Sequence, residues 1–169
     1  SGDENQLKDF DDDLILTHDF DELLNNVDAI FIVSHPSKHY KQAKKALENG
    51  VHVLCESPIA LKEEELCELF KLAKKNNLIL MDSIKTAYST AYNRLLLLAK
   101  KGKIGDVISV DATCTSLADG SGDDWNSITA WGPTALLPVF QLLGTDYKDK
   151  NINSLLLDSA ENFDLFTKI

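Results

Sequence analysis

Between residues 28 and 81 the apolar positions recur in one rhythm. DAIFIV (28–33), VHVLC (51–55) and LILM (78–81) are short apolar runs without polar alternation, the pattern of strands buried on both faces. Two amphipathic stretches separate them. From His39 to Asn49, the residues Tyr40, Ala43, Ala46 and Leu47 share one side, and Gly50 follows as a natural stop. The second stretch opens on Glu63, Glu64 and Glu65 and closes on Lys71, Lys74 and Lys75, an order that complements the helix dipole. Leu66, Leu69, Phe70 and Ala73 form its apolar stripe. Strand, helix, strand, helix, strand with short connections predicts a parallel α/β sheet with crossover helices.

The rhythm changes after residue 86. A helix is predicted from Tyr88 to Lys101, with Tyr88, Ala91, Leu95, Leu98 and Ala99 inward and Gly102 at its end. In DVISVDATCTS (106–116) polarity alternates strictly: Ile108, Val110, Ala112 and Cys114 lie on one side, Ser109, Asp111, Thr113 and Thr115 on the other. That predicts a half-exposed strand of an antiparallel sheet. LADGSGDDWNSITA (117–130) reads as a long loop and Thr134 to Leu143 as a short helix. NSLLLDS (153–159) and FDLFTKI (163–169) read as a hairpin. A parallel half followed by an antiparallel half predicts two units joined near residues 82–88.

Composition narrows the class. The 169 residues suffice for one well-buried domain or for two parts of larger ones, and 44% hydrophobic with 26% charged residues describes an ordered, soluble chain. There is no apolar run of membrane-spanning length and no signal-peptide pattern, so no membrane partner is expected. Cys55, Cys67 and Cys114 form no CxxC pair, which fits a reducing cytoplasm. The net charge of −10 argues against nucleic acid. Residues 1–28 hold ten acids against Lys8, so most of that charge sits at one end and reads as a solvated face.

The segments VDAIFIVSHPSKHYKQAKKALENGVHVLCESP, LILMDSIKTAY and GKIGDVISVDA, in this order and spacing, resemble the glucose–fructose oxidoreductase and inositol dehydrogenase (Gfo/Idh/MocA) family from about Leu14 to the C-terminus. The resemblance implies an α/β fold class: a partial Rossmann-type parallel sheet, then part of an α+β domain with an open, largely antiparallel sheet. Residues 1–86 would be the C-terminal portion of a dinucleotide-binding domain, and residues 87–169 the first part of the substrate and oligomerisation domain. It further implies NAD or NADP as cofactor, a small-molecule substrate such as a sugar or polyol, and a homo-oligomer formed through the C-terminal sheet. A dinucleotide-binding domain needs a first strand and a G-x-G-x-x-G turn, because the pyrophosphate rests on amides at the next helix start. Here the sole G-x-G is Gly120-Ser121-Gly122, with Trp125 where the third glycine belongs. The fingerprint is absent, and roughly sixty to seventy residues that would carry it lie outside this sequence. FDLFTKI also resembles a strand that the family continues with others, so the chain reads as a segment of a longer protein.

The resemblance also assigns the chemistry. In the family the strand end CESP typically reads Glu-Lys-Pro, and the lysine handles the proton that accompanies hydride transfer; here that position is Ser57, whose hydroxyl does not titrate near neutral pH. The family's aspartate and histidine positions in the later helix fall on Pro138 and Leu142 of WGPTALLPVFQLLG. Lys85, after the third strand, is either a replacement ammonium in the cleft or a solvated lysine at the junction. Ser34, His35, Pro36, His39 and Glu56 would contact the cofactor, with helix capping an alternative for His39. His35 and His39 are spaced i, i+4 but lack a third ligand at metal spacing, and Pro36 disfavours a shared helix face, so no metal is expected. Cys55 reads as a core residue, His18 and His52 as structural, and Trp131 as a loop anchor or a cleft wall. Two functional readings follow: an atypical NAD(P)-dependent oxidoreductase, inactive as these residues alone, or a non-catalytic binding or oligomerisation module that keeps the fold.

Overall fold

The computed structural model describes residues 16–114, 127–156 and 164–169. A short helix α1 (Phe20–Asn25) starts on Asp19, whose carboxylate accepts from the amides of Asp21 and Glu22. Three strands, β1 (Ala29–Ile32), β2 (His52–Cys55) and β3 (Leu80–Asp82), then pair in parallel in the order β1-β2-β3. Helices α2 (Pro36–Glu48) and α3 (Glu63–Lys75) connect them, as the apolar rhythm predicts.

Helix α2 begins three residues before the expected His39. Proline suits the first helical position because its missing N–H has no partner there, and His35 before it supplies the cap. The chain leaves α2 through Gly50, at φ 80. A side chain is strained in that left-handed region, so Gly50→Ala is expected to lower stability by about 1 kcal/mol in denaturant titration. Asn77, at φ 55, makes the corresponding turn after α3.

Ile32, Val53 and Cys55 pack against Ala43, Ala46 and Leu47 of α2 and Leu69 and Ala73 of α3 to form the core. Both helices therefore cover one face of the sheet. The expectation of strands buried on both faces fails for the opposite side: Phe31 is 50% exposed and Met81 42%. Both lie outside the buried core, and an apolar run by itself does not say what covers it.

Beyond β3 the predicted Tyr88–Lys101 helix is two, α4 (Lys85–Tyr88) and α5 (Thr90–Lys100), divided where Ser89 takes an extended conformation. Helix α6 (Ser127–Leu143) starts well before the expected Thr134 and runs through Pro133 and Pro138. The expected strand at 106–116 does not form over its described residues, 106–114, where Ile108 is 94% exposed. Alternation fits a strand, but a strand exists only when another pairs with it, and no described segment does. The hairpin is present: β4 (Asn153–Leu156) pairs antiparallel with β5 (Asp164–Lys168), and the Ser154 and Thr167 hydroxyls meet at 2.7 Å across it. Most of the expected Gly/Asp-rich loop, including Gly120, Gly122 and Trp125, lies outside the described residues.

Candidate functional site

All three strands of the parallel sheet end at one edge, where backbone pairing continues beyond them. The Glu56 amide donates to the Ile32 carbonyl at 2.9 Å, and the Ser83 amide donates to the Cys55 carbonyl at 2.8 Å. The strand ends are thus held level, and the loops that leave them converge. After β1, the Ser34 hydroxyl donates to Oε1 of Gln42 in α2. His35 caps α2, its Nδ1 accepting from the Ser37 amide at 3.4 Å and lying 2.8 Å from the Ser37 hydroxyl. Capping was an alternative for His39; the structure gives that role to His35, which occupies the position before the first helical residue.

His39 lies behind the loops. It is 1% exposed, with Nε2 2.7 Å from the Ser34 carbonyl and Nδ1 2.8 Å from the Pro58 carbonyl. One ring thereby ties the loop after β1 to the loop after β2. A neutral imidazole donates to one of the two carbonyls and an imidazolium to both. Neither nitrogen is left to face a cleft or a metal ion, so His39 supports the residues expected at the site from beneath.

After β2 come Glu56, Ser57 and a cis bond to Pro58, and Ile59 then returns to the core. The Tyr88 hydroxyl donates to the Asp82 carbonyl at 2.7 Å, which fixes α4 against the end of β3. From α4 the Lys85 ammonium reaches 3.8 Å from Oε1 of Glu56. The Lys85 side chain is 86% exposed, so this pair contributes little to stability while placing a mobile cation beside the strand end.

Sequence reasoning missed Asp82. It is in register with Cys55, and its Oδ2 lies 3.5 Å from the Ser57 hydroxyl, while its Oδ1 is buried without a hydrogen-bond partner. Burial raises the Asp82 carboxyl above the ordinary carboxylate value; the Ser57 hydroxyl and the Ile59 and Ile84 amides oppose that, and the Glu56 charge adds to it. Burial likewise pushes the Cys55 thiol up to about 12, helped by the charges of Asp82 and Glu56, so Cys55 is no nucleophile. The available signal for Asp82 was a carboxylate ending the apolar run LILMD.

Ser34, His35, Pro36, Glu56, Ser57 and Lys85 therefore lie on the loops and first turns that leave one edge of the sheet, with Asp82 and His39 beneath them. Trp131, Pro138 and Leu142 belong to α6, where Trp131 is partly exposed on the helix surface; the loop it was expected to anchor is outside the described residues. Among the described residues no cluster of three His, Cys, Asp or Glu side chains forms a metal site. No helix among them is long and apolar enough to cross a membrane.

Residues 2–83 match the model of an oxidoreductase family with an NAD-binding Rossmann fold, GFO_IDH_MocA. The uncharacterized oxidoreductase YhhX of Escherichia coli is 34% identical over 102 residues, which are 57% of this chain and 28% of that protein. The scyllo-inositol 2-dehydrogenase (NADP(+)) IolU of Bacillus subtilis is 37% identical over 68 residues, 40% of this chain and 21% of that protein. The chain thus corresponds to a minor part of each relative's length. The structure of the UDP-N-acetylglucosamine 3-dehydrogenase GnnA from Acidithiobacillus ferrooxidans shares the fold, with a TM-score of 0.72 at 24% identity over 85% of this chain and 46% of that one. The α/β architecture, the parallel sheet and the family match together place residues 2–83 in the Gfo/Idh/MocA oxidoreductase family.

Proposed function

We propose that the protein, in its full length, is an NAD(P)-dependent oxidoreductase that transfers hydride between the dinucleotide and a hydroxyl-bearing carbon of a sugar, polyol or related small molecule. The observation that carries this reading is the convergence of Ser34, His35, Glu56, Ser57 and Lys85 at the C-terminal edge of a parallel sheet, where α/β folds bind their ligands. These residues fit the nicotinamide end of the cofactor: they offer hydroxyls, a carboxylate and an ammonium, and include no phosphate-cradling turn. Ser34, His35, Pro36 and Glu56 would frame the ring. When bound, the nicotinamide supplies the hydride acceptor or donor. Lys85 can swing from Glu56 to hold the substrate oxygen, and Ser57 lies where a hydroxyl proton would leave. The polyol class draws support from IolU, a scyllo-inositol dehydrogenase. In this reading residues 1–86 serve the cofactor and residues 87–169 the substrate and self-association, with β4 and β5 as part of a homo-oligomer face in a cytoplasmic protein.

The test is dinucleotide binding by the full-length protein, followed by fluorescence or calorimetry. Binding of NAD(H) or NADP(H) is expected in the wild type and is retained in Ser57→Lys, because that position addresses the reacting oxygen. An intact protein that binds neither dinucleotide would sink the enzyme reading and favour a non-catalytic module.

A further inference from the structure

A serine at the strand end leaves the family's proton chemistry without a titrating group, yet Asp82 stands directly behind it. Its Oδ2 is 3.5 Å from Ser57 Oγ, and Oδ1 is buried with no hydrogen-bond partner. No ion pair with Lys or Arg neutralises Asp82 among the described residues. The Ile59 and Ile84 amides favour its charged form without closing a formed hydrogen bond to Oδ1, and a buried acceptor left so costs free energy. A hydroxyl has one proton and two lone pairs; if Ser57 donates inward to Asp82, its lone pairs remain for a second hydroxyl approaching from the cleft. The 3.5 Å separation is longer than a formed O–H···O hydrogen bond, and catalytic contacts commonly tighten only once substrate is in place.

We propose that Ser57 and Asp82 form a proton relay, in which Asp82 is the final acceptor of the proton that leaves the substrate hydroxyl through Ser57. This deepens the oxidoreductase reading above and rests on it. In the oxidation direction the carbon–hydrogen bond of the alcohol breaks, and its electron pair and hydrogen pass as hydride to the oxidised dinucleotide. The hydroxyl proton moves to Ser57 Oγ as the Ser57 proton moves to Asp82 Oδ2. The products are a carbonyl compound, reduced dinucleotide and a neutral Asp82, which later gives its proton to water. Asp82 acts through Ser57 and is a positioning residue; Lys85 holds the oxygen while charge develops on it. The upward displacement of the Asp82 carboxyl brings it nearer to the working range of a general base.

The test uses the full-length protein, NAD+ and NADP+, and a panel of polyols that includes scyllo-inositol. Wild-type turnover should fall as pH drops through the Asp82 titration, because the acceptor must be ionised. Asp82→Asn and Ser57→Ala should each lower kcat about 100- to 10,000-fold and remove that acid limb, with dinucleotide Kd unchanged. The double variant should be no slower than the slower single one, as expected of groups acting as a unit. A second readout needs no turnover. Followed by NMR, the Asp82 carboxyl carbon should titrate above ordinary carboxylates and move higher still in Ser57→Ala, where the hydroxyl that favours its charged form is gone. An acid limb that persists in Asp82→Asn, or an Asp82 titration indifferent to Ser57→Ala, overturns the relay and leaves the oxidoreductase reading standing while dinucleotide still binds. Should Asp82→Asn fail to fold, the pH profile of Ser57→Ala decides the same question. A wild type that binds no dinucleotide overturns the oxidoreductase reading and the relay together.

Discussion

Replacing His39 by alanine is expected to lower stability by about 3 kcal/mol, measured as a shift in denaturant midpoint at unchanged slope. The imidazole is fully buried and faces two backbone carbonyls, those of Ser34 and Pro58, from its two nitrogens. Alanine takes away the ring and the N–H it donates, and leaves both carbonyls facing a cavity in a packed region. Each unsatisfied acceptor costs about 1–3 kcal/mol, and the lost ring volume adds to this, while any water that enters recovers part. His39→Gln is the informative companion. Its amide also donates from a single nitrogen but does not fill the space of the ring between the two carbonyls, so glutamine should recover the donated contact and part of the loss. A cost below about 0.5 kcal/mol for alanine, typical of a surface site, would show that the ring does not hold the loops.

The same substitution has a functional consequence in the proposed reading. Ser34 and Pro58 belong to the two loops that carry the cofactor-facing residues and Ser57. Freed from the ring, these loops should bind dinucleotide more weakly, even under conditions where the protein stays folded.

Much of this architecture was legible because its signals are local. Apolar runs such as VHVLC and the acid-to-base order of Glu63 to Lys75 each act within one element, and the structure places strand and helix there. What failed depends on partners distant in sequence. Residues 106–114 alternate like a strand, but alternation does not supply a neighbour. Phe31 and Met81 read as buried because the run is apolar, while burial depends on what lies over that face. At the site, Glu56, Ser57 and Lys85 were legible as residues that follow strands. The roles of His39 and Asp82 were not, since each arises only when folding brings Pro58 to one and Ser57 to the other. A histidine inside a helix and an aspartate at a strand end look solvated until those contacts exist.

Alkaline pH should expose the other buried group at this strand end. Cys55 is fully buried, and its thiol is raised from the ordinary 9.0 to about 12 by loss of solvent and by the charges of Asp82 and Glu56. In the unfolded chain the thiol ionises near its ordinary value. Between these limits the unfolded state releases a proton that the folded state retains, so stability falls as pH rises. Below pH 9.0 both states keep the proton and nothing is lost. Each unit between the limits is worth about 1.4 kcal/mol, so the loss should reach on the order of 3 kcal/mol by about pH 11. Tyr40 and Lys44 are likewise displaced upward by their hydrogen bonds to Glu68, but they are common to wild type and variant. Cys55→Ala should therefore cost little at neutral pH and lose stability less steeply above it; parallel curves would show that the thiol stays protonated in neither state or in both. Iodoacetamide at mildly alkaline pH should modify the exposed Cys67 and spare Cys55 until the protein unfolds. Removing the charge of Asp82 should then lower the pH at which Cys55 ionises in the folded protein, because that charge opposes a thiolate beside it.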